Sequence, residues 1–367
     1  MPRNMPRRRR TIGSWALAWA LLAGTSAATA TTPSATAPEP APLSLRVVGG
    51  LAGLNQYTRH EEPFWARELP RLSGGRLRAE IVPFDRAGIR GQDMLRLMQL
   101  GVVPFGTALL SLSTAQDPLL GAPDLAGLSP DLPSLRRHLA AFRPVLERTL
   151  RERHGIELLA VYTYPAQMTF CNRPLSSLSD LAGRKVRISS PTQADWIEAL
   201  GGVPVTTPFA EVNAAMAAGA MDCAITGSMS GNTIGLHERT SHLHTMPVTW
   251  GMAIFGANSA AWQALPAPWK DLLRQQLPRL EQSIWLESDR ETGEGLACNV
   301  GAAACLSGRK GRMTEVRETP ADARRRREIF ESTVLTRWLQ RCGPACADTW
   351  NQTLGPVSGF TARPLRP

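Results

Sequence analysis

The sequence predicts an α/β protein of two lobes, each a mostly parallel sheet flanked by helices. Three observations carry this. Residues 184–225 read strand, helix, strand, helix, strand; residues 43–112 read in the same order; and 367 residues are enough for two domains. Only the order repeats, with no residue-level repeat between the halves. Such β-α-β-α-β runs build parallel sheets with right-handed crossovers, and two of them side by side leave a cleft between them.

Taken in order, residues 1–30 are basic ("MPRNMPRRRR"), then apolar ("TIGSWALAWALLAG"), then small ("TSAATA"). That is the pattern of a secretory signal peptide cut after Ala30. Residues 31–42, rich in Pro, Ala and Thr, are expected to be a flexible lead-in. "LSLRVVGG" (43–50), "GRLRAEIVPF" (75–84) and "VVPFGTALLSL" (102–112) are expected strands. "EEPFWARELPRL" and "GQDMLRLMQLG" (91–101) are the helices between them. Residues 113–135 are loop-like. A helix then follows in "LPSLRRHLAAFRPVLERTLRERHG", with strands in "IELLAVYTY" and "QMTFCNRPL".

The second run begins at residues 184–188. Ser190-Pro191 supply a helix cap and a favoured first helical residue, and Gly201 a stop. "GVPVTT" is the next strand, Thr207-Pro208 repeat the cap-and-proline start, Gly219 stops the helix, and "MDCAI" is the third strand. Between 266 and 297, Trp269, Leu272, Leu273, Leu277, Leu280 and Ile284 recur at helical spacing, predicting one long helix that Pro278 should kink. The C-terminal part returns as helices.

Composition narrows the function. The formal charge is +10, and removing the five arginines of residues 1–30 leaves +5. No basic run is interleaved with aromatics, which argues against nucleic-acid binding; "ARRRRE" (323–328) reads as a solvated helix face. No second apolar stretch has membrane length, so no direct membrane insertion is expected. Export makes the six cysteines candidates for disulfides. Cys298 with Cys305 and Cys342 with Cys346 are close pairs, and local staples are the simplest connectivity; a zinc site is the rival, with no histidine nearby.

No cofactor, metal or catalytic motif stands out. "GSMSG" (227–231) has Met229 where a nucleophile elbow needs serine. The ends of the strands are more informative, because ligands of open parallel sheets bind beyond the carboxyl ends of the strands. In the second run these ends carry Arg187, Ser189 and Ser190, then Thr206, Thr207 and Phe209, then Thr226 and Ser228. An arginine on a buried strand needs an internal carboxylate or a bound anion, and the residues alone leave both open. The first run offers Asn55, Gln56, Tyr57, Asp85, Arg86, Gln92 and Thr107 as a facing wall.

Together, "TFCNRPLSSL", "DLAGRKVRI" and "ALGGVPVTTPFAEVNAAMAAGAMDCAI" resemble the solute-binding proteins of tripartite ATP-independent periplasmic (TRAP) transporters, the DctP-like family. So does "LSGGRLRAEIVPFDRAGIRGQDMLRLMQLGVVPFG", and the resemblance covers about residues 45–290. It implies a periplasmic binding protein fold whose long helix spans both lobes. Lobe I would hold residues 43–165 and about 250–290, lobe II 166–249 and about 291–330, with 331–367 a helical, disulfide-stapled segment. It implies a monomeric receptor, with no cofactor, that closes on an organic acid and passes it to the small and large integral membrane subunits of a permease. A sensor on the same fold is the alternative.

On this resemblance Arg187 holds the substrate carboxylate and Phe209 packs on the ligand. Gln167, Thr226 and Trp250 are expected to shape the pocket, with ordinary core as the rival place for Trp250, and Asn55 and Gln92 belong to the facing wall that the first run offers. A second arginine common in the family is missing: its region reads "YPAQMTFCNRP", and Gln167 is expected to hydrogen-bond the ligand instead. The same fold makes the strands of Cys171 and Cys223 neighbours, so a third disulfide is expected there, with two free thiols as the rival.

Overall fold

Two sheets organise residues 41–363, the part that the computed structural model describes. The expected signal peptide and nearly all of the lead-in lie outside the described residues. The first sheet takes β1 (Leu43–Gly49), β2 (Leu77–Pro83), β3 (Phe105–Leu109) and β4 (Ile156–Tyr162). The second takes β5 (Gln167–Cys171), β6 (Lys185–Ile188), β7 (Val203–Thr206), β8 (Cys223–Gly227) and β9 (His242–Thr249). β10 (Ala253–Asn258) then returns to the first sheet, and β11 (Thr314–Val316) edges the second. The strand orders are β2-β1-β3-β10-β4 and β11-β9-β5-β8-β6-β7.

The β-α-β-α-β runs form the parallel parts, with β1 between β2 and β3, and β6 between β7 and β8. The sheets are less parallel than expected. β10 pairs antiparallel with β3 and β4, and β5 antiparallel with β8 and β9. The cause is the crossing of the chain between sheets, at residues 163–166 and 250–252, which brings each crossing strand in against the local direction.

The expected long helix is Ala267–Val300, with Pro278 inside it. Trp285 Nε1 donates to Val161 O beside the first sheet (2.8 Å), and Asn299 Nδ2 to Ser228 O beside the second (2.9 Å), so one helix serves both sheets. Trp65, Phe255 and Tyr162 stack in the first core, with Trp65 and Phe255 centroids 5.0 Å apart.

Three disulfides join Cys171 to Cys223, Cys298 to Cys305 and Cys342 to Cys346. The first pair sits directly opposite on β5 and β8, where antiparallel neighbours bring side chains into contact.

Four local expectations differ. β3 ends at Leu109, and Leu110–Ser113 form a helical turn. The first helix begins earlier than residue 61, through π-helical turns at Gln56–Glu61 and Phe64–Glu68. Thr207 does not cap a helix; its carbonyl accepts from Arg187, and a 3₁₀ turn at Phe209–Glu211 precedes the short helix Val212–Ala217. Within the arginine run, Arg326 is buried and donates to Gly127 O at 2.7 Å, while Arg324, Arg325 and Arg327 are exposed.

Candidate functional site

The carboxyl ends of β6, β7 and β8 open into a cavity of about 500 Å³ between the two sheets. That volume is in the usual range for small-molecule sites. Arg187 lines it from β6 and is only 4% exposed. β6 lies between β8 and β7, and the guanidinium is strapped to both neighbours. Nη1 donates to Ile225 O (2.8 Å) and Nε to Thr207 O (3.0 Å).

Among the described residues, Nη2 has no hydrogen-bond partner and no carboxylate pairs with Arg187. Burial alone pushes its pKa down, to about 10, so it stays charged at neutral pH. Of the lining residues, Arg187 carries the sole charge.

Gln167 lines the cavity from the first position of β5. Its Oε1 accepts from Gln193 Nε2 (2.8 Å) and Thr249 Oγ1 (3.1 Å). Thr226 contributes from β8, Phe209 from beyond β7, and Ser189, Ser190 and Pro191 from the start of helix Pro191–Ala199. Ser190 caps that helix as expected, accepting from Gln193 N at 3.2 Å. The positive end of the helix therefore faces the same space as the guanidinium.

The first sheet supplies mostly apolar cover, with Leu51, Leu54, Phe84, Leu109 and Leu112, and Gln92 at its rim. Tyr164, in the crossing between β4 and β5, completes the wall.

The structure thus brings together Arg187, Gln167, Thr226, Phe209 and Gln92. Two expected residues are elsewhere. Asn55 does not line the cavity: its amide donates to the buried Glu291 carboxylate of the long helix, which Gln56 Nε2 also serves at 2.7 Å. Trp250 is a core residue, 3% exposed, with Nε1 donating to Ser129 O at 3.1 Å. Its backbone, with that of Gly251 and Met252, donates to Asp124, which anchors the second crossing.

Sequence reasoning missed Gln193 and Gly251. Gln193 stands three residues after the cap Ser190, a spacing in which the glutamine side chain turns back to backbone N–H groups; here it reaches Ser189 N (2.8 Å). Gly251 has φ +66° and carries no such motif.

Comparisons with known proteins agree with this architecture. Residues 55–294 match the family model DctP, described as bacterial extracellular solute-binding protein, family 7. Among solved structures, the chain is similar to DctP7, a Bordetella pertussis extracytoplasmic solute receptor binding pyroglutamic acid. The TM-score is 0.74 at 22% identity, covering 86% of this chain and 99% of that one. It is similar to a TRAP periplasmic solute binding protein from Desulfovibrio salexigens with bound orotic acid, at TM-score 0.75, 16% identity, and 86% and 98% coverage. A third is a TRAP periplasmic solute binding protein from Shewanella oneidensis with bound succinate, at TM-score 0.70, 21% identity, and 83% and 96% coverage. These likenesses establish the two-sheet fold, and the family match over most of the described chain shows that the protein belongs to family 7 of the bacterial extracellular solute-binding proteins, a family of receptors rather than enzymes.

Proposed function

We propose that the cavity binds a small organic acid through Arg187, and that the protein then delivers it to the membrane subunits of a TRAP-type permease. The observation that carries this reading is the buried guanidinium with a free Nη2 and no counter-charge. An anion aimed at Nη2 supplies the missing partner, in the bidentate style that arginine favours for carboxylates. The apolar cover from the first sheet suits a ligand whose remaining surface is weakly polar. The similar receptors bind pyroglutamic acid, orotic acid and succinate, each a carboxylic acid.

In this reading the two sheets mark two lobes, residues 43–165 with about 250–290 and 166–249 with about 291–330. Ligand binding shifts them toward a closed state, and closure strengthens the charge pair by excluding water. Residues 1–30 direct export and are removed, and the mature chain works as a periplasmic monomer. No helix of the described residues is long and apolar enough to cross a membrane.

Native mass spectrometry of the exported protein tests the reading. An intact organic acid should co-purify, leave on unfolding, and be missing from Arg187→Met. Retained carboxylate affinity in that variant, or stabilisation by neutral solutes alone, overturns it.

A further inference from the structure

The hydrogen bonds behind the cavity run in one direction. Ser189 N is a backbone N–H and can only donate; it donates to Gln193 Oε1 (2.8 Å), joined there by Ser189 Oγ (3.2 Å). That fixes which end of the Gln193 amide is oxygen, so its Nε2 points the other way. Nε2 donates to Gln167 Oε1 (2.8 Å) and to Thr249 Oγ1 (2.8 Å), and the Thr249 hydroxyl in turn donates a hydrogen bond to Gln167 Oε1 (3.1 Å). Gln193 is 1% exposed and Thr249 5%, so water does not compete with this chain.

The Gln167 amide is therefore locked with its oxygen inward and its nitrogen free. Gln167 Nε2 has no hydrogen-bond partner among the described residues. It lies over Gly251, where a Cβ would approach it to 2.4 Å, and both residues line the cavity. A free amide N–H₂ that cannot turn is a fixed donor.

We propose that Gln167 is a specificity residue that selects carboxylic acids carrying a second, neutral hydrogen-bond acceptor, such as the carbonyl of a ketone, amide or lactam. The reading rests on Arg187 as the carboxylate anchor. The second acceptor is neutral because no further cation lines the cavity to balance another carboxylate. A donor group at that place would meet N–H against N–H, and an alkyl group would leave the amide unpaired in a dry site.

The test uses matched acids and calorimetric affinities: 4-oxopentanoate against pentanoate, and 5-oxopyrrolidine-2-carboxylate against cyclopentanecarboxylate. Wild type should prefer the carbonyl-bearing acid of a pair by about tenfold. Gln167→Leu should bring the ratio near one. Gln193→Leu leaves Gln167 in place but frees its amide to turn, and should lower the ratio as well. A wild-type ratio within twofold of one, or an undiminished ratio in Gln167→Leu, overturns the proposal while Arg187-dependent binding persists. If no acid binds wild type, or Arg187→Met binds them equally well, the anchor reading fails and this proposal falls with it.

Discussion

Arg187 and Glu61 are both buried charges without an opposite charge beside them, one in each half of the molecule. Arg187, behind the second sheet's strand ends, is 4% exposed, and Glu61, under the first sheet, is 1% exposed. Each has two hydrogen-bond partners of its own. Arg187 donates to the carbonyls of Thr207 and Ile225; Glu61 accepts from Gly50 N at 2.8 Å and from the Thr107 hydroxyl. Burial pushes Glu61 up to about 7 and Arg187 down to about 10. The acid can therefore discharge itself near neutral pH by taking a proton, whereas the guanidinium keeps its charge at that pH. Of the two, Arg187 alone is left to an outside partner, and Arg187 alone lines the cavity.

The largest test of this contrast is Arg187→Met. Removing one member of a buried, hydrogen-bonded charge pair costs about 2–5 kcal/mol of binding, so carboxylate affinity should fall at least about thirtyfold. The free protein should lose no more than about 3 kcal/mol of stability. The loss of two charge-assisted hydrogen bonds, at about 1.5–3 kcal/mol each, works against relief of a desolvation cost of about 3 kcal/mol. Calorimetry and thermal unfolding in the absence of ligand read both. A free variant that is grossly unstable while still binding acids would make Arg187 structural and the contrast empty.

Glu61→Gln tests the other side. The folded carboxyl titrates near 7 and the unfolded one near 4.5, so the folded state holds the extra proton between those values. Stability then falls as pH rises from about 4.5 through 7, by about 3 kcal/mol in all. Glutamine keeps an acceptor for Gly50 N and gains a donor for Thr107, so much of this decline should disappear. Asp124, also pushed up to about 7 by burial, leaves a remainder of its own. Urea unfolding at pH 5 and pH 8 measures the slope; an undiminished slope in the variant shows that Glu61 is not the group that titrates.

These two groups also show how far the sequence is legible. Arg187 stands out in it because "KVRI" belongs to a β-α-β-α-β run, whose parallel strands are covered on both faces, so a charge in mid-strand is an anomaly in the residue pattern itself. The close cysteine pairs Cys298/Cys305 and Cys342/Cys346 and the capped helix at Ser190-Pro191 are legible because local spacing specifies them. Glu61 is not, since "HEEPFW" looks like the solvated start of a helix, and its burial comes from β1 and β3 arriving from elsewhere in the chain. Asn55 is misplaced by the sequence for the same reason: it puts Asn55 near a strand end, but a buried Glu291 claims it, and of the two places open to Trp250, core or cleft wall, the core slot under Ser129 takes it. Gln193 is hidden by its own motif, which as a helix cap is complete without any reference to a ligand.

Gly251→Ala is a smaller perturbation on the Arg187 side. A Cβ there would lie 2.4 Å from Gln167 Nε2, and φ +66° adds strain of about 1–2 kcal/mol. The amide must move, so affinity for carbonyl-bearing acids should drop by about tenfold, while pentanoate binding stays within about threefold of wild type. Equal losses for both would mean that the crossing itself is distorted and that the amide has no separate role.

The smallest effect should come from Asn55→Ala, which bears on the acid side. Glu291 is a third buried carboxylate, 2% exposed, and it differs from Glu61 in taking donors from two amides, Asn55 and Gln56. Burial raises its pKa, while those amides favour the charged form and pull it back. Without Asn55, the carboxyl holds its proton to higher pH, so the variant loses stability relative to wild type as pH rises above the ordinary carboxylate range. The loss should be about 1 kcal/mol at pH 8 and less at pH 5. Ligand affinity should stay within about twofold, because Asn55 faces the long helix and not the cavity. A large loss of carboxylate binding would return Asn55 to the facing wall and break the separation between self-neutralising acids and a base that waits for an anion.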